Sequence, residues 1–179
     1  MNYAITGGIA SGKSRFCQRL RAAGNPVYDC DAAAKRIVRT HPDVRRQLTG
    51  LVGTSLYAID GTLDKKALAA YLTASPENAS RVDAIVHPRV AEDYRAWQQE
   101  QTEKGARHTF MECALLFESG FDRLADRTVL IYAREATRLR RLMARDGITE
   151  QQARRWMALQ MPEEEKLRRA DIVIPNEDR

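Results

Sequence analysis

Eight consecutive residues, Gly7-Gly8-Ile9-Ala10-Ser11-Gly12-Lys13-Ser14, spell the pattern G-x-x-x-x-G-K-S. The chemistry open to it is the binding of a nucleotide's phosphates. The glycines let backbone N–H groups approach phosphate oxygens, Lys13 can reach the β- and γ-phosphates, and the Ser14 hydroxyl can hold Mg²⁺. A strand-like run, Tyr3-Ala4-Ile5-Thr6, precedes the loop, and a helical pattern with Phe16 and Leu20 follows it. A helix starting there aims the positive end of its dipole at the same anion.

Two carboxylates, Asp29 and Asp31, flank Cys30 just beyond a second strand-like run. Ligands of open parallel sheets bind at the carboxyl ends of the strands. A carboxylate there could take a proton from an attacking hydroxyl or hold Mg²⁺ through water, and an Asp in that place could equally cap a helix. Arg134, Arg138, Arg141 and Arg145 fall on one stripe of a predicted helix, and Leu139, Leu142 and Met143 fall on another. Such a helix can pack its apolar side and present guanidinium groups to a transferring phosphoryl group, whose oxygens the guanidinium fork matches. A solvated basic face is the alternative reading of the same stripe. His87 reads as a structural residue, and His41, His87 and His108 lack metal-ligand spacing.

These groups need elements to position them. Strand-like runs occur at 3–6, 26–29, 109–113, 128–132 and 171–174, separated by helical stretches. Strands alternating with helices imply βαβ units and a parallel sheet buried on both faces. The gap from Cys30 to about His108 is too long for one crossover and reads as a helical insertion that binds a second substrate, with a structural cap as the alternative. Within it, Asp31–Arg39 is helical, His41-Pro42 breaks that helix, 63–72 forms another, and Pro88 belongs in the first turn of a helix running to about Lys104. Arg145-Asp146-Gly147 ends the arginine helix. A further helical segment, from Thr149 to about Gln160, has the makings of a lid that excludes water.

A chain of 179 residues, with 44% hydrophobic and 30% charged residues, suits one α/β domain with an insertion. No apolar run reaches membrane-span length and no secretory signal opens the chain, so a cytoplasmic protein without a membrane partner is expected. Cys17, Cys30 and Cys113 are odd in number and scattered, as expected of reduced thiols. The net charge of +5 suits a phosphate-handling cleft, and no aromatic interleaving among the arginines suggests nucleic acid.

Several motifs together resemble the dephospho-coenzyme A kinase family. They are Thr6 through Ser14, Val27-Tyr28-Asp29-Cys30-Asp31, Asp60-Gly61-Thr62-Leu63-Asp64, Ile85-Val86-His87-Pro88-Arg89-Val90, Leu115-Leu116-Phe117-Glu118, and Gln160 through Lys166 to Ala170-Asp171-Ile172-Val173-Ile174-Pro175-Asn176. The resemblance covers nearly the whole chain. It implies an α/β P-loop NTPase three-layer fold with a parallel five-stranded sheet, a helical substrate-binding insertion and a lid. The whole of 1–179 would be one kinase domain, with its core at 1–30 and 107–179, the insertion at about 31–106 and the lid at about 146–165.

The reaction so implied is the ATP-dependent phosphorylation of the ribose 3′-hydroxyl of dephospho-coenzyme A. Asp31 would be the general base, and Lys13 and Arg141 (or Arg145) would serve the transferring group. Gly8, Ala10, Ser11, Gly12, Lys13, Ser14 and Arg15 would bind ATP, and Ser14 would ligate Mg²⁺. Another small-molecule kinase of the same fold is the alternative; a GTP-dependent switch would need an N-K-x-D motif that this chain lacks.

The chain departs from the family at four places. Ala10 replaces a usual Gly, expected to be harmless on the view that the position does not need φ > 0. Ala114 replaces a Pro, which would loosen that turn, and Arg15 replaces a small hydroxyl residue. The chain ends at Arg179 where the family continues into a further helix, whose lack would expose apolar surface.

Overall fold

The computed structural model describes residues 1–177; the expectation attached to the end of the chain at Arg179 lies outside the described residues. The chain divides into two compact units, one made of Met1–Asp29 and the chain from Trp97 onward, the other of Cys30–Ala96.

The first unit carries a five-stranded sheet, β1 (Asn2–Thr6), β2 (Val27–Asp29), β3 (Thr109–Glu112), β4 (Arg127–Tyr132) and β5 (Ile172–Pro175), in the order β2-β3-β1-β4-β5. Every pairing is parallel. Each expected strand run is present, with ends shifted by at most one residue. The central strands are short apolar runs because helices cover both faces of a parallel sheet. Ile5, Val129 and Ile131 form a buried cluster with Cys17 of the helix that follows the loop, α1 (Lys13–Ala22). Asp171, expected to open the last strand, instead accepts hydrogen bonds from the Thr128 N–H (2.7 Å) and hydroxyl (2.8 Å), fixing how β5 enters the sheet.

The second unit is helical: α2 (Cys30–Thr40), α3 (Pro42–Val52), α4 (Lys65–Ala74) and most of α5 (Pro76–Glu103). Pro42 ends one helix and opens the next, with His41 as the cap of α3, as Pro at a first turn allows. Asp64 caps α4, accepting from the N–H groups of Lys66 (2.9 Å) and Ala67 (3.0 Å). The expectation for Pro88 is corrected: it lies inside α5, a continuous helix of 28 residues. An interior proline forfeits one backbone bond and crowds the preceding turn, a cost of roughly 3 kcal/mol. The side chains of Val82, Val86, Val90 and Tyr94, buried at helical spacing on both sides of Pro88, offset it.

Back in the sheet unit, α6 (Glu135–Asp146) follows β4 and ends at Gly147, which adopts φ +65°. The helix α7 (Glu150–Met157) starts from a capping box between Thr149 and Gln152, and α8 (Glu163–Arg169) follows Pro162. Among the described residues no helix is long and apolar enough to cross a membrane.

Candidate active site

The phosphate loop occupies 7–12, between the carboxyl end of β1 and the first turn of α1. Gly12 adopts φ +94°, and a Cβ there would strike the Asn176 carboxamide, so only glycine fits. Asn176, at the end of β5, donates to the Ser11 carbonyl (2.7 Å), and the Arg141 guanidinium donates to the same carbonyl (3.4 Å) and to that of Asn176 (2.9 Å). Arg141 therefore braces the flank of the loop. A cavity of about 450 Å³ opens beside it, lined by Gly12, Arg15, Phe16, Ile174 and Asn176 among others.

Lys13 reaches back along the loop to Glu112, whose carboxylate accepts from the Lys13 ammonium (2.9 Å) and from Arg21 (3.2 Å). Glu112 ends β3, and the register sets it beside Ile5 of β1 and Asp29 of β2. Its side chain is 6% exposed. Burial pushes its carboxyl pKa up, but Lys13, the Ser14 hydroxyl and Arg21 together outweigh this and hold it below the ordinary range. Sequence reasoning missed Glu112, although a lone carboxylate closing an otherwise apolar strand was a signal within reach. Burial, then the Glu112 charge, raises the Cys17 thiol to about 12, so it stays protonated; all three cysteines are buried and outside any disulfide.

The depressed Glu112 pKa fixes a sign. A carboxylate held lower in the folded than in the unfolded chain contributes its full stability above the unfolded value, near 4.5, and loses it as pH falls through the folded value. Glu112→Gln is expected to cost about 2–3 kcal/mol at neutral pH, with the gap from wild type narrowing below roughly pH 4.5. Urea midpoints from pH 7 to pH 3 check this, and a gap that stays constant contradicts it.

Ala10 corrects a second expectation. It adopts φ +62°, the one non-glycine positive φ among the described residues. An L-residue pays roughly 1–2 kcal/mol for that conformation, so Ala in place of Gly is not harmless to the backbone. Ala10→Gly is expected to raise Tm by about 2 °C, once the entropy of the freer unfolded chain is subtracted. An unchanged or lowered melting point in scanning calorimetry contradicts it.

The arginine stripe divides its labour. Arg138 is 7% exposed, bonds the Ala133 carbonyl through Nε (3.2 Å), pairs with Glu163 (3.4 Å) and lies over Gly8. Arg145 is spent on Asp146 (2.7 Å), and Arg134 on Glu177 (3.4 Å). Leu139 and Leu142 are buried on their separate stripe, as expected.

Beyond α7, Gln160 accepts from the Ile9 amide (2.7 Å), Met161 donates to Glu118 (2.8 Å), and Lys166 is fully buried with its Nζ 3.9 Å from Glu118. Burial lowers the Lys166 pKa, against the pull of Glu118 and Glu163. Gln160, Glu118, Lys166 and Asn176 stood in the motifs without assigned roles; their contacts span up to 165 residues of chain, which spacing does not reveal. Arg15 is exposed at the mouth of the 450 Å³ cavity. Asp31 lies in the first turn of α2, in the second unit, two residues past the end of β2.

A parallel sheet with a phosphate loop after its first strand, a lysine on a buried carboxylate and a helix carrying inward arginines define a P-loop kinase. Comparison with known proteins narrows the class: the dephospho-CoA kinase family model matches residues 1–179, and the chain belongs to that family. It is 37% identical to the dephospho-CoA kinase of Geobacillus kaustophilus, over 98% of this chain and 88% of that one. It is 41% identical to that of Bacteroides fragilis, over 97% and 83%. The crystal structure of TT1252 from Thermus thermophilus superposes with a TM-score of 0.81 at 36% identity, covering 99% of this chain and 89% of that one. Members of the family are phosphotransferases with an alcohol acceptor, and ATP is the substrate that the kinase family implies.

Proposed function

We propose that the chain transfers the terminal phosphoryl group of ATP to the ribose 3′-hydroxyl of dephospho-coenzyme A, giving coenzyme A and ADP, the last step of coenzyme A biosynthesis. The observation that carries the reading is the loop itself. The amides of Ala10, Gly12, Lys13 and Ser14 have no protein acceptor among the described residues, and Lys13 stands beside them. Amides left open at a helix N-terminus suit the diphosphate of a nucleotide. The adenosine lies in the cavity beside Gly12, where Arg15, Phe16 and Arg141 offer stacking surfaces and charge.

Phosphoryl transfer rests on positioning and charge neutralisation more than on proton abstraction. Lys13 exchanges Glu112 for the β- and γ-phosphate oxygens, while Arg21 and Ser14 keep the carboxylate paired. Arg141 adds positive charge from the loop's flank. Asp31 accepts the proton of the acceptor hydroxyl, and Cys30–Ala96 binds the acceptor. The segment of about 146–165, holding α7, acts as the lid that excludes water. The oxygen donors of Ser14 and Glu112 fit a hard divalent cation. Mg²⁺ would be held by Ser14, with Glu112 behind it, and would supply further neutralisation of phosphate charge. The reaction is assigned to the cytoplasm.

The test is ADP release from ATP with a panel of acceptors. Dephospho-coenzyme A is expected to turn over far above nucleoside monophosphates and sugar acids; turnover of another acceptor with none of dephospho-coenzyme A overturns the proposal.

A further inference from the structure

The loop's amides are shared between two tasks. Four are open, as described, whereas the Ser11 N–H closes a turn on the Gly8 carbonyl (2.9 Å) and the Ile9 N–H donates to Gln160 (2.7 Å). Because the partner is an N–H, the Gln160 atom on Ile9 has to be the carbonyl oxygen Oε1. Gln160 itself is well anchored. The next residue, Met161, donates its amide to Glu118 (2.8 Å), and Glu163 pairs with Arg138 (3.4 Å) against Gly8. The side chain of Lys166, in α8, is fully buried with its Nζ 3.9 Å from Glu118.

The bond to Ile9 falls next to Ala10, with its φ of +62°. A non-glycine residue in the left-handed region persists only where its surroundings over-determine it. Ala10 meets that condition from both sides. The peptide after it is held through the Ser11 amide on Gly8 and the Ser11 carbonyl on Asn176 and Arg141. The residue before it is held through its amide by Gln160, while its side chain packs against the buried cluster of Leu139, Leu142 and Ala153.

We infer that Gln160 is a positioning residue. It pins Ile9 so that Ala10 keeps φ near +62° and the open amides converge on one anion. The inference rests on the loop being the nucleotide site, and it goes beyond that reading by giving Gln160 a task that a glycine at position 10 makes unnecessary. Glycine adopts the left-handed conformation without penalty, so the loop would hold its shape with the pin removed.

A double-mutant cycle on Mg-ADP affinity reads this directly, and it needs no acceptor. Calorimetric titration of Gln160→Ala is expected to show ADP bound about tenfold more weakly than by wild type. In the Ala10→Gly background the same Gln160→Ala change is expected to cost less than about threefold. Gln160→Glu, which keeps an acceptor for Ile9, measures how much of the loss belongs to that bond; its ADP affinity should exceed that of Gln160→Ala. Equal losses in both backgrounds, or no loss in either, overturn the inference. A wild-type protein that binds ADP but leaves dephospho-coenzyme A untouched would instead count against the proposed reaction and leave the cycle readable.

Discussion

Replacing Lys13 with methionine is expected to lower kcat/KM for ATP by about 10³-fold. Methionine keeps the length and apolar stem of lysine, so the change removes mainly the charge. In the structure the Lys13 ammonium is held 2.9 Å from Glu112 within a nearly buried pair, 11% and 6% exposed. Preorganised charge in such a place needs little solvent rearrangement as the transferring group develops charge, and therefore acts more strongly than it would in water. Glu112 is not orphaned by the change, since Arg21 at 3.2 Å and the Ser14 hydroxyl remain. The variant should consequently fold, which a melting curve establishes before rates are compared. A loss smaller than about tenfold would remove Lys13 from the centre of the mechanism.

Asp31→Asn should lower kcat by at least about 10²-fold and leave ATP binding nearly intact. Asparagine keeps the shape and the hydrogen-bonding capacity of the side chain at the first turn of α2, so a capping role would survive it. Loss of turnover with preserved nucleotide affinity then reports loss of the proton acceptor. Near-normal turnover would leave Asp31 a helix-start residue. The Lys13 effect is expected to exceed the Asp31 effect, because charge neutralisation outweighs proton abstraction in a loose phosphoryl transfer.

The loop was legible in the chain because its signal is local, whereas the preference for Asp31 over Asp29 came from the family resemblance and not from position. The loop is eight consecutive residues, and Asp31 stands two beyond a strand end. The arginine helix was equally legible, since 100° per residue places Arg138 and Arg141 near one another. Periodicity did not reveal that their tasks differ, with Arg138 over Gly8 and Arg141 on the carbonyls of Ser11 and Asn176. Pro88 was misplaced because local rules assign a helix-breaking cost to an interior proline, and only packing tells whether a helix carries it. Ala10 was misjudged because φ is set by what surrounds the loop and not by the residue's preference.

The amino-acid sequence by itself determined the phosphate loop, the alternation of strands and helices, the parallel sheet and the family. Each of these is written in near neighbours, as periodic burial, turn chemistry or a run of motif residues in order. Tertiary structure decided the order β2-β3-β1-β4-β5, and with it the meeting of Glu112 with Lys13 across 99 residues of chain. It also decided the strain at Ala10 and the reach of Gln160 to Ile9 across 151 residues. Contacts of that span follow from how strands are paired and where helices cross back, which no local stretch of the chain encodes.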